Sequence, residues 1–166
     1  VVFCVTLASC LAAVAGGCNA TSGYVNNQRG AMFYRQGNFT AARQEFHRAV
    51  ADSPSNATYV HNLAAAMKKQ GDIVSAEQTY RHALRIDPGH QPSYHGMAVM
   101  LREQGRQADA ENLINTWVAT QPYSPSAHIE TAWLKRESGD LAGAEQALQQ
   151  ALAIRPNHAV ATAQLG

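Results

Sequence analysis

An all-α fold, built as a row of short helical hairpins, is what the 166-residue sequence predicts. Three observations predict it. A step of 34 residues carries Gly37 to Gly71, Gly105 and Gly139, Ala42 to Ala76, Ala110 and Ala144, and Pro54 to Pro88, Pro122 and Pro156. A fixed step of that size is the mark of stacked structural units. Within a period, apolar and small residues recur three or four apart, as in Val60, Leu63, Ala64 and Met67, which places them on one helix face. Aromatic residues make up only 7% of a chain rich in Ala and Gln, a balance that favours helices over sheets.

Taken from the N-terminus, the first element is free of charge. Residues 1–28 contain no charged side chain, and the run VVFCVTLASCLAAVAGG reads as a signal peptide over residues 1–17 whose start lies upstream. The boundary Val14-Ala15-Gly16-Gly17-Cys18 resembles a bacterial lipobox, in which small residues precede a cysteine that is acylated and becomes N-terminal. That resemblance implies lipidation of Cys18, a short tether over residues 18–22, and an exported, periplasm-facing protein anchored at the cell membrane or outer membrane. A plain cleaved signal ending near Ala15 and an uncleaved anchor are the alternatives. Cys4, Cys10 and Cys18 all lie here, so no disulfide is expected in the region that follows.

Four units follow, at residues 23–56, 57–90, 91–124 and 125–158. With each numbered from 1 to 34, positions 4, 7, 8 and 11 share one face of a first helix. Positions 20, 24, 27 and 28 do the same for a second. Glycine at position 15 ends the first helix, small residues at 8 and 20 let the pair approach closely, and proline at 32 ends the second helix. Such a pair cannot bury its apolar face alone, so neighbours must stack. In the first unit Arg29 stands where the second has Leu63, a site that an end unit can leave partly wet. In the third, Trp117 replaces the alanine of the others, predicting a wedge that spreads units three and four or a ring turned along the surface. In the fourth, Lys135 takes an aromatic place, its stem lying beside Leu134. Residues 159–166 restart the pattern, as the start of a fifth unit or a capping helix.

The second unit, with Val60, Leu63, Ala64, Met67, Gly71, Ala76, Tyr80, Ala83 and Pro88, resembles the tetratricopeptide repeat at each signature place. The resemblance spans residues 23–158. It implies a right-handed superhelical solenoid of antiparallel helix pairs whose concave groove takes an extended peptide or a partner helix. The groove-lining positions of that family fall here on Tyr34, Arg35, His61, Lys68, Lys69, His95, Arg102, Ile129, Trp133 and Arg136, among others. Lys68, Arg102 and Arg136 form a basic row, while the next position changes from Arg35 and Lys69 to Glu103 and Glu137. A ligand acidic toward the first two units and apolar against Trp133 would be complementary. The carboxylate clamp of chaperone-binding members is not reproduced, because Pro92 and Gly96 stand where basic residues are needed and only Asn62 matches.

Other function classes find little support. Thirteen basic and 12 acidic residues argue against a nucleic-acid partner. No phosphate-binding glycine loop, zinc-spaced cysteine pair or nucleophile elbow is present, and the seven histidines lack companions at ligand spacing. No metal, cofactor or small-molecule substrate is expected. Asn19, Asn38 and Asn56 open glycosylation-type triplets but read as turn and cap residues. The expected role is a non-catalytic scaffold or assembly factor, tethered to a membrane and binding segments of other proteins. Lipidated tetratricopeptide proteins of bacteria, which this chain looks like in layout, often assist assembly of pili, secretion systems or the envelope. The alternative is the repeat region of a larger enzyme, a transferase or peptidase, whose catalytic domain lies outside this chain. RNA binding by related helical repeats would need a different period.

Overall fold

The structure, a computed structural model, describes the backbone of residues 7–165 and the side chains of residues 21–165. Every regular element among the described residues is an α-helix. The chain divides into two compact units, residues 1–88 and 89–166. None of the described helices is long and apolar enough to cross a membrane. Of the signal-peptide expectation for residues 1–17, residues 1–6 lie outside the described residues, as does the Cys18 side chain on which the acylation expectation falls.

The first unit holds α1 (Leu7–Arg35), α2 (Phe39–Asp52), α3 (Ala57–Lys69) and α4 (Ile73–Ile86). Helix α1 spans 29 residues against 13 for α3, and it is continuous through residues 18–22, where the sequence reads as a tether. Helices α1 and α2 pair, α3 and α4 pair, and α2 packs on α3. Phe46 anchors the core with Ala42, Leu63 and Ala66, and Ala31, Tyr34 and Met67 pack around it. Gly30 explains how α1 and α2 come so close, since a Cβ there would sit 2.6 Å from the Phe46 ring. Between α3 and α4 the backbone reverses through Gly71 at φ +80°, and the equivalent glycines of the other hairpins adopt the same left-handed conformation. Asn38 and Asn56 accept from the first-turn amides of α2 and α3, so these triplet asparagines serve as helix caps. Arg29 takes its place through charge. It faces Glu45 of α2 at 3.8 Å, a carboxylate that Arg48 also holds at 2.6 Å.

The second unit holds α5 (Gln91–Glu103), α6 (Gln107–Thr120), α7 (Pro125–Glu137), α8 (Leu141–Ile154) and α9 (Ala159–Leu165). The wedge expected of Trp117 takes another form. Its ring is fully buried and lies flat on Tyr94 of α5, centroids 3.9 Å apart and planes 2° from parallel, while Nε1 donates to Gln121 Oε1 at 3.2 Å. The ring is thus taken up inside its own hairpin, not along the surface, and α5 and α6 approach each other less closely than α7 and α8 do. Alanines make the α7–α8 approach possible, with Ala132, Ala144, Ala147 and Ala151 closing around Leu148, and α9 adds Ala161 to this core. Lys135 reaches Asp140 Oδ2 at 3.1 Å across the turn that follows its helix, beyond any packing along its stem.

Acidic caps start two second helices. Asp72 accepts from the Ser75 amide, and the Ser75 side chain above all, then this amide and the Arg43 guanidinium, lower its carboxyl below the usual 3.8. Asp140 is lowered too, chiefly by the Gly143 amide at 2.9 Å and then by Lys135.

Candidate functional site

In the first unit α1 and α3 lie side by side and leave a hollow of about 270 Å³. Its floor is made by Ala31, Ala65 and Phe46, and its walls by Tyr34 and His61, with Arg35 and Asn62 beside them. The alanines create the space, because both stand at position 9, where a larger residue would fill it. The walls are braced from behind. Tyr34 meets Phe39 edge to face at 5.3 Å, and His61 lies 5.5 Å from the Tyr80 ring. Asn62 Nδ2 donates to Asn27 Oδ1 at 2.8 Å, which fixes the amide and leaves its carbonyl oxygen and second N–H for another group. Tyr34, Arg35 and His61, three of the residues expected from the sequence, are therefore brought together around one concavity.

The basic positions have a second physical reason to exist. Arg35, Lys68 with Lys69, Arg102, and Lys135 with Arg136 occupy the last turns of α1, α3, α5 and α7, where cations complement the helix dipole. Lys69 and Arg136 are exposed, and Lys68 is half-buried.

The corresponding face of the second unit is already knitted together. Arg102 Nη1 lies 2.6 Å from Glu137 Oε2, and its guanidinium carbon lies 5.4 Å from the centre of the Trp133 ring. His95 approaches the same ring edge to face at 4.6 Å. Through Nδ1 it also donates to Glu130 Oε2 at 2.9 Å, while Gln91 Nε2 donates to Glu130 Oε1 at 2.9 Å. Two sequence expectations change here. Trp133 is half-buried between a cation and an imidazole and is not an open apolar platform. Ile129, expected on the groove, is only 3% exposed and belongs to the core of α7, α8 and α9. The reason for the second change is that α8 packs closely on α7 and α9 packs on α8, so Ile129 is enclosed in one core with Leu148 and Ala161. Glu130 was missed. It lies 35 residues beyond His95, and the pairs Asn27–Asn62 and Arg102–Glu137 share that separation. One period plus one residue is thus the offset at which neighbouring first helices meet, a signal the sequence carries.

Among the described residues no group of His, Cys, Asp and Glu is arranged to hold a metal ion.

Comparison with solved structures places this arrangement. The Arabidopsis OM64 TPR domain is 22% identical, with 72% of this chain and 98% of that one covered at a TM-score of 0.58. Pseudomonas aeruginosa pilF is 18% identical, covering 89% and 67% at a TM-score of 0.62. The first TPR of Spaghetti (RPAP3), solved bound to the HSP90 peptide SRMEEVD, is 14% identical, covering 88% and 91% at 0.53. Likenesses at such identities establish the fold alone. A comparison with curated protein sequences found no match. Family models described as tetratricopeptide repeat match residues 33–96, 67–129 and 126–158. With more than half of its length so matched, and its helices paired as the repeat requires, the chain belongs to the tetratricopeptide repeat family.

Proposed function

We propose that this protein is a non-catalytic scaffold or assembly factor that holds an extended segment of a partner protein in the groove of its first unit. The observation that carries this reading is the hollow between α1 and α3. At about 270 Å³ it falls just below the roughly 300–1,000 Å³ of small-molecule sites, a size suited to one apolar side chain of a longer ligand. Asn62 stands ready to engage a peptide backbone, and exposed Arg35 and Lys69 favour acidic neighbours of the anchoring side chain. The family membership and the peptide held by the similar repeat domain of Spaghetti (RPAP3) support the same reading. A photo-crosslinking residue at Ala65 would identify the bound segment, and calorimetry with that segment as a synthetic peptide would measure it. Tyr34→Ala with His61→Ala should weaken binding at least tenfold, and unchanged affinity would move the site elsewhere.

The same proposal includes export and a lipid on Cys18, which would hold the scaffold at the periplasmic face of a membrane. Its support is the charge-free run before Cys18 and the lipobox-like small residues. The two or three acyl chains of a mature bacterial lipoprotein would anchor stably, where one chain binds reversibly. Mass spectrometry of the membrane fraction should find Cys18 acylated; an unmodified, soluble chain would remove the tether and leave the groove reading intact.

A further inference from the structure

The outer face of α2, turned away from the groove, carries a second concavity. We infer that this hollow, of about 540 Å³, binds the phosphate group of a phosphate ester. Thr40, Arg43, Gln44, His47 and Arg48 reach it from one face of α2, as their spacing of three and four requires, and Gln70 closes it from the end of α3.

Of the two carboxylates near these cations, Glu45 lies beneath Arg48, while Asp72 stands beside Arg43 at similar exposure, 33% against 37%. Arg48 is bonded to Glu45 at 2.6 Å, yet its side chain is 59% exposed while that of Glu45 is 7% exposed. Arg43 Nη1 holds both Asp72 Oδ2 and Gln70 Oε1 at 3.1 Å, and Gln70 Nε2 donates to Thr40 Oγ1 at 3.0 Å. These bonds restrain two guanidinium groups while using few of their five donors each. The Thr40 hydroxyl, which accepts from Gln70, keeps its own proton to donate. His47 is exposed and has no partner among the described residues. The hollow therefore gathers forked cationic donors, a hydroxyl, an amide and an imidazole, a set matched to an anion with three oxygens to satisfy.

The other repeats act as internal controls. Where the first repeat has Arg43, the others have Glu77, Glu111 and Glu145. Where it has Arg48, they have His82, Thr116 and Gln150. The repeat fold accepts glutamate at this position three times, so packing does not demand the arginine. The wider field agrees. Residues 1–88 carry eight basic and five acidic side chains, and residues 89–166 carry five basic and seven acidic ones.

A phospholipid headgroup and a free phosphate ester offer this same chemistry, and two probes separate them. The full chain is titrated with phenyl phosphate at constant ionic strength, following the backbone amide resonances of α2 by NMR. It is also sedimented with vesicles of phosphatidylglycerol or of phosphatidylcholine alone. Saturable shifts from phenyl phosphate are expected, weakened roughly tenfold or more in Arg43→Glu and less in His47→Asn, the residue that Asn115 provides in the third repeat. Circular dichroism identical to wild type confirms that both variants are folded. Sedimentation with the anionic vesicles alone, reversed by phenyl phosphate, identifies a headgroup, whereas phenyl phosphate binding without vesicle binding identifies a free ester. No saturable shift, equal binding by Arg43→Glu, or equal binding of acetate would overturn the inference.

Discussion

Gly30→Ala examines the closest approach in the first hairpin. The added methyl would lie 2.6 Å from Phe46 Cδ1 and 2.7 Å from Cε1. Phe46 is 2% exposed, and the hollow between α1 and α3 whose floor it helps to make is the one described space beside its ring. Forcing a methyl into such a core costs about 1–3 kcal/mol. Replacing glycine inside a helix returns about 1 kcal/mol. The net expectation is a loss of up to about 2 kcal/mol, measured by urea unfolding and localised by hydrogen exchange at α1 and α2 amides. Ala64, Ala98 and Ala132 occupy the same position in the other repeats, so the cost comes from how Phe46 sits and not from the fold. In a Phe46→Leu background the sign should reverse, with Gly30→Ala stabilising by about 1 kcal/mol. Stabilisation of the wild-type background by that full amount would refute the reasoning, since the ring would then have yielded at no cost.

Trp117→Ala should cost about 3–5 kcal/mol in urea unfolding, because it empties the space shared with Tyr94 and Gln121. Glu130→Ala removes the acceptor of both His95 and Gln91 and should cost about 1–3 kcal/mol, whereas Glu130→Gln, which keeps an acceptor oxygen, should cost less; equal losses would show that a single amide oxygen cannot stand in for the carboxylate. For the caps, Asp72 and Asp140 titrate below 3.8 in the folded chain, so folding favours their ionised forms. Their contribution is present above the unfolded value and is lost as pH falls through the lower folded values. A double Asp72→Ser, Asp140→Ser variant should therefore show a flatter acid limb in thermal unfolding against pH, and an unchanged limb would contradict the assignment.

The hairpin architecture was legible because it rests on residues with little choice. Gly71 must tolerate positive φ, Ala42 and Ala76 must admit a neighbouring helix, and a 34-residue step repeats those demands. The site was legible in outline only. Tyr34, Arg35 and His61 could be placed by register, but the hollow between them exists because of Ala31 and Ala65, whose smallness also looks like ordinary packing. Arg29 is partly wet, as its register implied, with its side chain 55% exposed, but its partner Glu45 lies one helix away and the repeat pattern does not reveal it. Trp133 looked open because nothing local reveals that Arg102 and His95 flank it from α5, the first helix of the preceding repeat. Pairing between repeats depends on a lateral offset of helices, and hydrophobic periodicity within one helix does not report it.

Trp117 and Trp133, the chain's two indoles, both belong to residues 89–166, one sealed against Tyr94 and the other half open beside a guanidinium. Tryptophan emission thus watches only the C-terminal half of the molecule, with one fluorophore shielded from aqueous quenchers and one within their reach. Events at the Tyr34–His61 hollow would pass unseen in such a measurement unless an optical label, such as tryptophan in place of Tyr80, were introduced beside them.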